Sequence, residues 1–244
     1  MANGTKQIEP SARSQAVAMF QEGIQAGFPI ILGYIPVAIT FGVLAAQSGM
    51  SLLEITLMSA LVYAGASQFM GVNMIAASAG MIEIVVATFV LNFRHFVMGL
   101  SFMNEVRDSF SFKGKLGLSL TLTDEVFAVS SIRNENIHKK HGIYFYLAIY
   151  IIAYLSWVFG SFLGGLLGEV IPEQLSQSMG IALYALFIGL LIPTVKKEVK
   201  FGFIAIFAML VNLIASQFFS SGWAIVLGTV IGGLSGVYFL KEKK

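Results

Sequence analysis

No cysteine occurs in the 244 residues. That excludes disulfides, thiolate metal sites and a cysteine nucleophile, and it says nothing about compartment. Charge is nearly as scarce, at 11% of residues, where soluble domains carry about 25%. So few charges cannot cover a water-facing surface. With 57% hydrophobic residues and a mean hydropathy of +0.81, the composition is that of a chain embedded in a lipid bilayer along nearly its whole length. The net charge of +2 is too small to point to nucleic acid. HExxH, Walker A, dinucleotide and G-x-S-x-G patterns are all absent, so other chemistry has little support in the sequence, and an ATP-driven pump would need its nucleotide machinery on another polypeptide. His95, His138 and His141 lack metal-ligand spacing, and no cofactor or metal is expected. No repeated filter-like segment favours a channel. A cleavable leader is not expected, because Met1 to Glu22 is polar and mixed and the first apolar run continues past Gly33.

What is present is a series of apolar stretches, measured against the roughly 20 residues a helix needs to cross hydrocarbon. They run over 21–46, 52–77, 82–103, 116–132, 143–167, 175–192, 201–219 and 223–240. The expected fold is an all-α, polytopic integral membrane protein. It has about eight membrane-embedded segments, some discontinuous or re-entrant, and forms one transporter domain over 1–244. Pro29, Gly33 and Pro36 mark the first stretch for helix breaks, since proline removes a donor and clashes with the preceding turn. Gly65 and Gly71 do the same for the second. The fourth stretch, 116–132, is short and carries Asp124 and Glu125 at its middle, so it is shielded by other helices or is itself discontinuous. Pro172 and Pro193 are expected at helix boundaries. Ser220, Ser221 and Gly222 leave only a tight turn, which predicts an antiparallel hairpin at the end of the chain.

Orientation follows from lysine and arginine in short loops. Lys6 and Arg13 make 1–20 a cytoplasmic amino-terminal segment; Arg133, Lys139 and Lys140 make 133–141 a cytoplasmic loop. Lys196, Lys197 and Lys200, and then Lys241, Lys243 and Lys244, repeat the sign. Both termini are cytoplasmic if the span count is even. Arg107, Lys113 and Lys115 would then lie outside, unless the second and fourth stretches are both re-entrant. ALVYA at 60–64 and ALYA at 182–185 echo each other and suggest an internal repeat.

Ser156, Gly160, Gly164 and Gly168 recur at spacing four, as do Gly228, Gly232 and Gly236. Small residues on one face let helix backbones approach, which reads first as packing. Trp157 and Trp223 are read as core, lipid-facing or interfacial. The intramembrane polar residues ask for more, because ionisable groups in hydrocarbon are costly unless paired or functional. Asn92 and His95 share a helix face at three-residue spacing, while Arg94 points elsewhere and is placed to reach a carboxylate. Asp124 shares a face with Thr121, and Glu125 can approach Arg94. A structural ion pair and direct participation in transport both remain open. Gln68 and Asn73, with Gly65 and Gly71, fit a broken helix lining a cavity or, alternatively, simple interhelical hydrogen bonding.

Four segments carry a specific resemblance: GYIPVAITFG at 33–42, YAGASQF at 63–69, LNFRHFVMG at 91–99 and LTDEVFA at 122–128. In order and spacing the chain resembles the AzlC/YgaZ family, large subunits of bacterial branched-chain amino acid exporters. The first half is the more diagnostic. The resemblance implies a secondary transporter in the bacterial cytoplasmic membrane that exports branched-chain or other hydrophobic amino acids. It implies proton coupling and a small membrane subunit of the AzlD/YgaH type. Combined with residue chemistry, it makes Gln68, Asn73, Asn92, Arg94 and Asp124 the expected substrate-binding residues, Arg94 for the carboxylate and Asp124 for the ammonium. His95, Asp124 and Glu125 are the expected proton-coupling residues, histidine because it titrates near neutrality. A membrane scaffold whose buried polar network is structural is the competing class.

Overall fold

The computed structural model describes residues 11–106, 110–133, 141–168, 170–172, 174–175, 178 and 181–239. Several residues behind the orientation argument, Lys6, Arg107, Lys139, Lys140, Lys241, Lys243 and Lys244, lie outside the described residues, as does His138. So do the first half of 1–20 and most of 133–141.

The described residues form ten helices: α1 Ala12–Gln47, α2 Leu52–Leu61, α3 Gly65–Ala76, α4 Met81–Glu105, α5 Phe112–Leu120, α6 Asp124–Ile132, α7 Gly142–Leu167, α8 Ile181–Lys197, α9 Lys200–Ala215 and α10 Ser221–Phe239. Four of them, α1, α4, α7 and α10, are long and apolar enough to cross a membrane by length and composition. The protein is thus an all-α polytopic membrane protein.

The breaks fall in places that local residue types only half announce. α1 runs for 36 residues straight through Pro29, Gly33 and Pro36, so the helix breaks expected there are corrected. A proline costs one amide bond, and membrane helices tolerate this where other groups use the freed carbonyls. Gly71 likewise lies inside the unbroken α3. The second apolar stretch is interrupted at 62–64, just before Gly65, and the fourth at 121–123. Three helix starts carry side-chain caps, whereas α3, which follows Ala64, has none. Ser51 and Glu54 form a reciprocal capping box at α2, Ser111 caps α5, and Thr123 caps α6. Between α2 and α3, Tyr63 sits at φ 44, a left-handed backbone conformation that a bulky residue adopts only under constraint. Pro193, expected at a boundary, lies inside α8, which continues to Lys197. ALVYA contains the α2–α3 break whereas ALYA is inside the continuous α8, so the echo does not mark equivalent local structure.

The chain divides into two compact units, one of residues 1–32 and 97–155, the other of 33–96 and 156–244. The three helices α1, α4 and α7 contribute residues to both. In the first unit, Gly23 leaves room for the Phe145 carbonyl and Ala148, and Gly27 for Ile152. Phe102 packs edge-on to Tyr146, with ring centroids 5.9 Å apart, and the Tyr146 hydroxyl donates to the Arg133 carbonyl at 3.2 Å.

In the second unit the spacing-four stripe of α7 does the work expected of it. Gly160 faces Ala38, Gly164 the Ile39 carbonyl and Gly168 Ala46, while Gly42 on α1 faces the Ser161 carbonyl. A methyl group at any of these would collide. Removing side chains lets backbones approach where lipid supplies no hydrophobic drive for association. Gln47 closes this pair, donating to the carbonyls of Gly168 at 3.3 Å and Ile171 at 3.0 Å. Gly228 and Gly232 of α10 lie against Asn212 and Ala208 of α9, the packed hairpin that the short turn predicts.

Candidate functional site

Two polar constellations stand out in the second unit, one closed and one open. The closed one centres on Gln68, which is 0% exposed. Its Oε1 accepts the Trp157 indole N–H at 2.9 Å and the Ala64 amide at 3.2 Å. Its Nε2 donates to Ser59 Oγ at 2.9 Å. Ser59 donates to Ser161 Oγ at 2.7 Å, and Ser161 in turn to the Trp157 carbonyl at 2.8 Å. Gln68 therefore replaces the helical acceptor that the Ala64 amide loses at the break, and it ties that break to α7. Buried polar groups matched in this way rigidify a core. Tyr34 and Phe41 pack on the same indole, at 5.4 and 6.5 Å between centroids. Trp157 is thus a buried hydrogen-bonding anchor rather than a lipid-facing residue.

The open constellation is a cavity of about 780 Å³. Phe69, Met70, Met74, Leu91, Phe187 and Ile225 give it an apolar lining; Asn73, Glu83, Arg94, Tyr184 and Ser220 supply polar groups. α3 contributes residues from Ala66 to Met74 followed by the turn 77–80, α4 one face, α8 Tyr184 and Phe187, and α10 its amino end. The Arg94 guanidinium lies over the Phe187 ring, 5.6 Å from its centroid, a cation–π arrangement that holds the charge over an apolar surface. At the acidic lining residue, Glu83 Oε1 accepts the Ser220 hydroxyl and the Gly222 amide at 2.9 Å. A carboxylate at the start of α10 is electrostatically favoured, because unsatisfied amides concentrate positive charge there. Gly222 has no room for a side chain, since a Cβ would meet Met74 and Glu83.

Of the expected substrate-binding residues, the cavity brings together Arg94 and Asn73. Gln68 is spent in the closed network, and Asn92 lies outside the lining, with a buried Oδ1 that has no hydrogen-bond partner among the described residues. His95, also on α4, is outside the lining too. Asp124 and Glu125 belong to the other compact unit, in the first turn of α6. Glu83 was not singled out by sequence reasoning. An acid in a helix's first turn is an ordinary feature, and its partners lie 137 and 139 residues away.

Against known proteins, the family model described as "AzlC protein" matches residues 29–171. An uncharacterized membrane protein of Archaeoglobus fulgidus is 33% identical over 226 residues, covering 90% of this chain and 96% of its own. The inner membrane protein YgaZ of Escherichia coli is 31% identical over 225 residues, covering 90% of each. The branched-chain amino acid transport protein AzlC of Bacillus subtilis is 27% identical over 188 residues, 77% of this chain and 72% of its own. No solved structure matches the chain. The family model covers more than half of the sequence and two relatives above 30% identity span nearly all of it, so the chain belongs to the AzlC/YgaZ family of membrane proteins.

Proposed function

We propose that the protein is a secondary transporter that exports branched-chain or other hydrophobic amino acids across the bacterial cytoplasmic membrane. The observation that carries this reading is the largely apolar cavity with Arg94 held in its wall. Its volume falls in the range of about 300–1,000 Å³ usual for small-molecule sites, where a few placed polar groups orient an apolar ligand. Aliphatic and aromatic side chains suit a branched hydrocarbon tail, and a guanidinium suits a carboxylate. Relatives named for branched-chain amino acid transport and for the inner membrane support the substrate and the location. Coupling to protons, with His95, Asp124 and Glu125 as carriers, and a small membrane subunit of the AzlD/YgaH type complete the proposal.

A scaffold whose polar groups are structural draws support from the closed Gln68 network. Flux separates the two. Purified protein in proteoliposomes, with and without the small subunit, should take up radiolabelled leucine and valine saturably, and the rate should follow an imposed pH gradient. Flux no greater than that of empty liposomes for both substrates would remove the export reading.

A further inference from the structure

Among the described residues the cavity is lined by one basic and one acidic residue, and both are on α4. Glu83 and Arg94 are eleven positions apart, close to three whole turns, so they share a face but stand about 16 Å apart along the axis. Helical side chains lean toward the amino end together, so the longer arginine shortens that gap only in part. An α-amino acid carries its carboxylate and ammonium on a single carbon. It cannot pair with both residues at once.

Both charged residues already make contacts within the fold. Glu83 is engaged by the Ser220 hydroxyl and the Gly222 amide at the start of α10. Arg94 lies over Phe187, and a guanidinium has five N–H donors, so a contact already made leaves capacity for a carboxylate. Around the remainder of the lining, among the described residues, an ammonium finds neutral acceptors, such as the Asn73 side chain and the carbonyls where α3 ends. A neutral acceptor returns little beyond the hydration that a charged donor gives up on entering an apolar site.

On the amino acid reading of this site, we infer that the cavity selects for a carboxylate and a branched apolar tail and tolerates change at the α-substituent. It takes hydrophobic 2-oxo and 2-hydroxy monocarboxylates as well as amino acids. Arginine to carboxylate is the strong, geometrically specific contact. Replacing ammonium by a carbonyl or hydroxyl breaks no ion pair and lowers the desolvation cost.

Equilibrium binding by calorimetry to the purified full-length protein tests this; flux is less direct, because the ligands differ in net charge. The probes are leucine, 4-methyl-2-oxopentanoate and leucinol, which keeps the amine and tail but has no carboxylate. Leucine and the oxo acid should bind within about tenfold of each other, and leucinol at least a hundredfold more weakly than leucine. Arg94→Gln should weaken both carboxylates by the same factor. If that variant does not fold, the leucinol comparison on the unaltered protein stands alone. Leucine binding without oxo-acid binding overturns the inference and leaves export of amino acids intact. So does a Glu83→Gln protein that loses leucine but keeps the oxo acid, since Glu83 would then read the ammonium. Oxo-acid binding without leucine binding removes the amino acid reading while the carboxylate class survives. Binding of neither removes both.

Discussion

The Trp157 indole donates to Gln68 Oε1 at 2.9 Å, joining α7 to the first turns of α3 with both side chains buried. Because the same oxygen also accepts the Ala64 amide, Gln68→Leu strands two buried donors, each at about 1–3 kcal/mol. Thermal unfolding in detergent should show a loss of about 2–5 kcal/mol with only secondary effects on ligand affinity. A variant that kept its stability but lost leucine binding would instead place Gln68 in contact with substrate.

Glycine positions should split into two groups. Gly42→Ala and Gly164→Ala drive a methyl group into the Ser161 and Ile39 carbonyls respectively, and overpacking of this kind costs about 1–3 kcal/mol or more. Gly33 has nothing within 4 Å of where its Cβ would stand and lies within α1. There Gly33→Ala should be neutral or stabilising by about 0.5–1 kcal/mol, because alanine loses less backbone freedom in a helix. Yield and melting temperature of the three variants, measured side by side, check the contrast.

The strained backbone at Tyr63 (φ 44) calls for a differential test. Tyr63→Gly and Tyr63→Ala both lose the buried ring, so their difference isolates the backbone term. The glycine variant should be the more stable by about 1 kcal/mol, the cost of a Cβ in the left-handed region. Equal stability would mean that the chain relaxes out of that conformation once the ring is gone.

Glu83 should behave as a clasp in a graded way. Glu83→Gln keeps an acceptor for Ser220 and Gly222 and loses only the charge assistance and the helix-terminus term, about 1 kcal/mol. Glu83→Ala loses both hydrogen bonds and should fall further, by about 2–4 kcal/mol. Limited proteolysis around 216–221 should accelerate in the same order. An alanine variant as resistant as the parent protein would show that the clasp does not hold this turn.

Much of the architecture was legible because helix placement in a bilayer depends on local composition. The apolar stretches fall on helices among the described residues, four of them long enough to cross a membrane, and the small-residue stripe from 156 to 168 is a packed face. Proline was the misleading signal. Pro29 and Pro36 are present without breaking α1, since a helix within a packed bundle absorbs one missing donor. The interruption at 62–64 owes less to its own residues than to the Gln68 side chain that receives the amide freed there.

The sequence by itself determined that this chain lives in a membrane: 11% charge leaves no alternative surface, and such a property needs no partner to be defined. Its motifs likewise carry family membership. Only the tertiary structure decided the fate of each polar residue. Gln68 and Arg94 read alike along the chain, as costly groups within apolar stretches. One is closed off by Trp157, 89 positions away, and the other stands in a cavity wall over Phe187. Glu83, unremarked in the sequence, holds a turn 137 positions distant. Whether a buried polar group is structural or available to a ligand depends on which donors and acceptors the fold brings to it, and that depends on helices far apart in sequence.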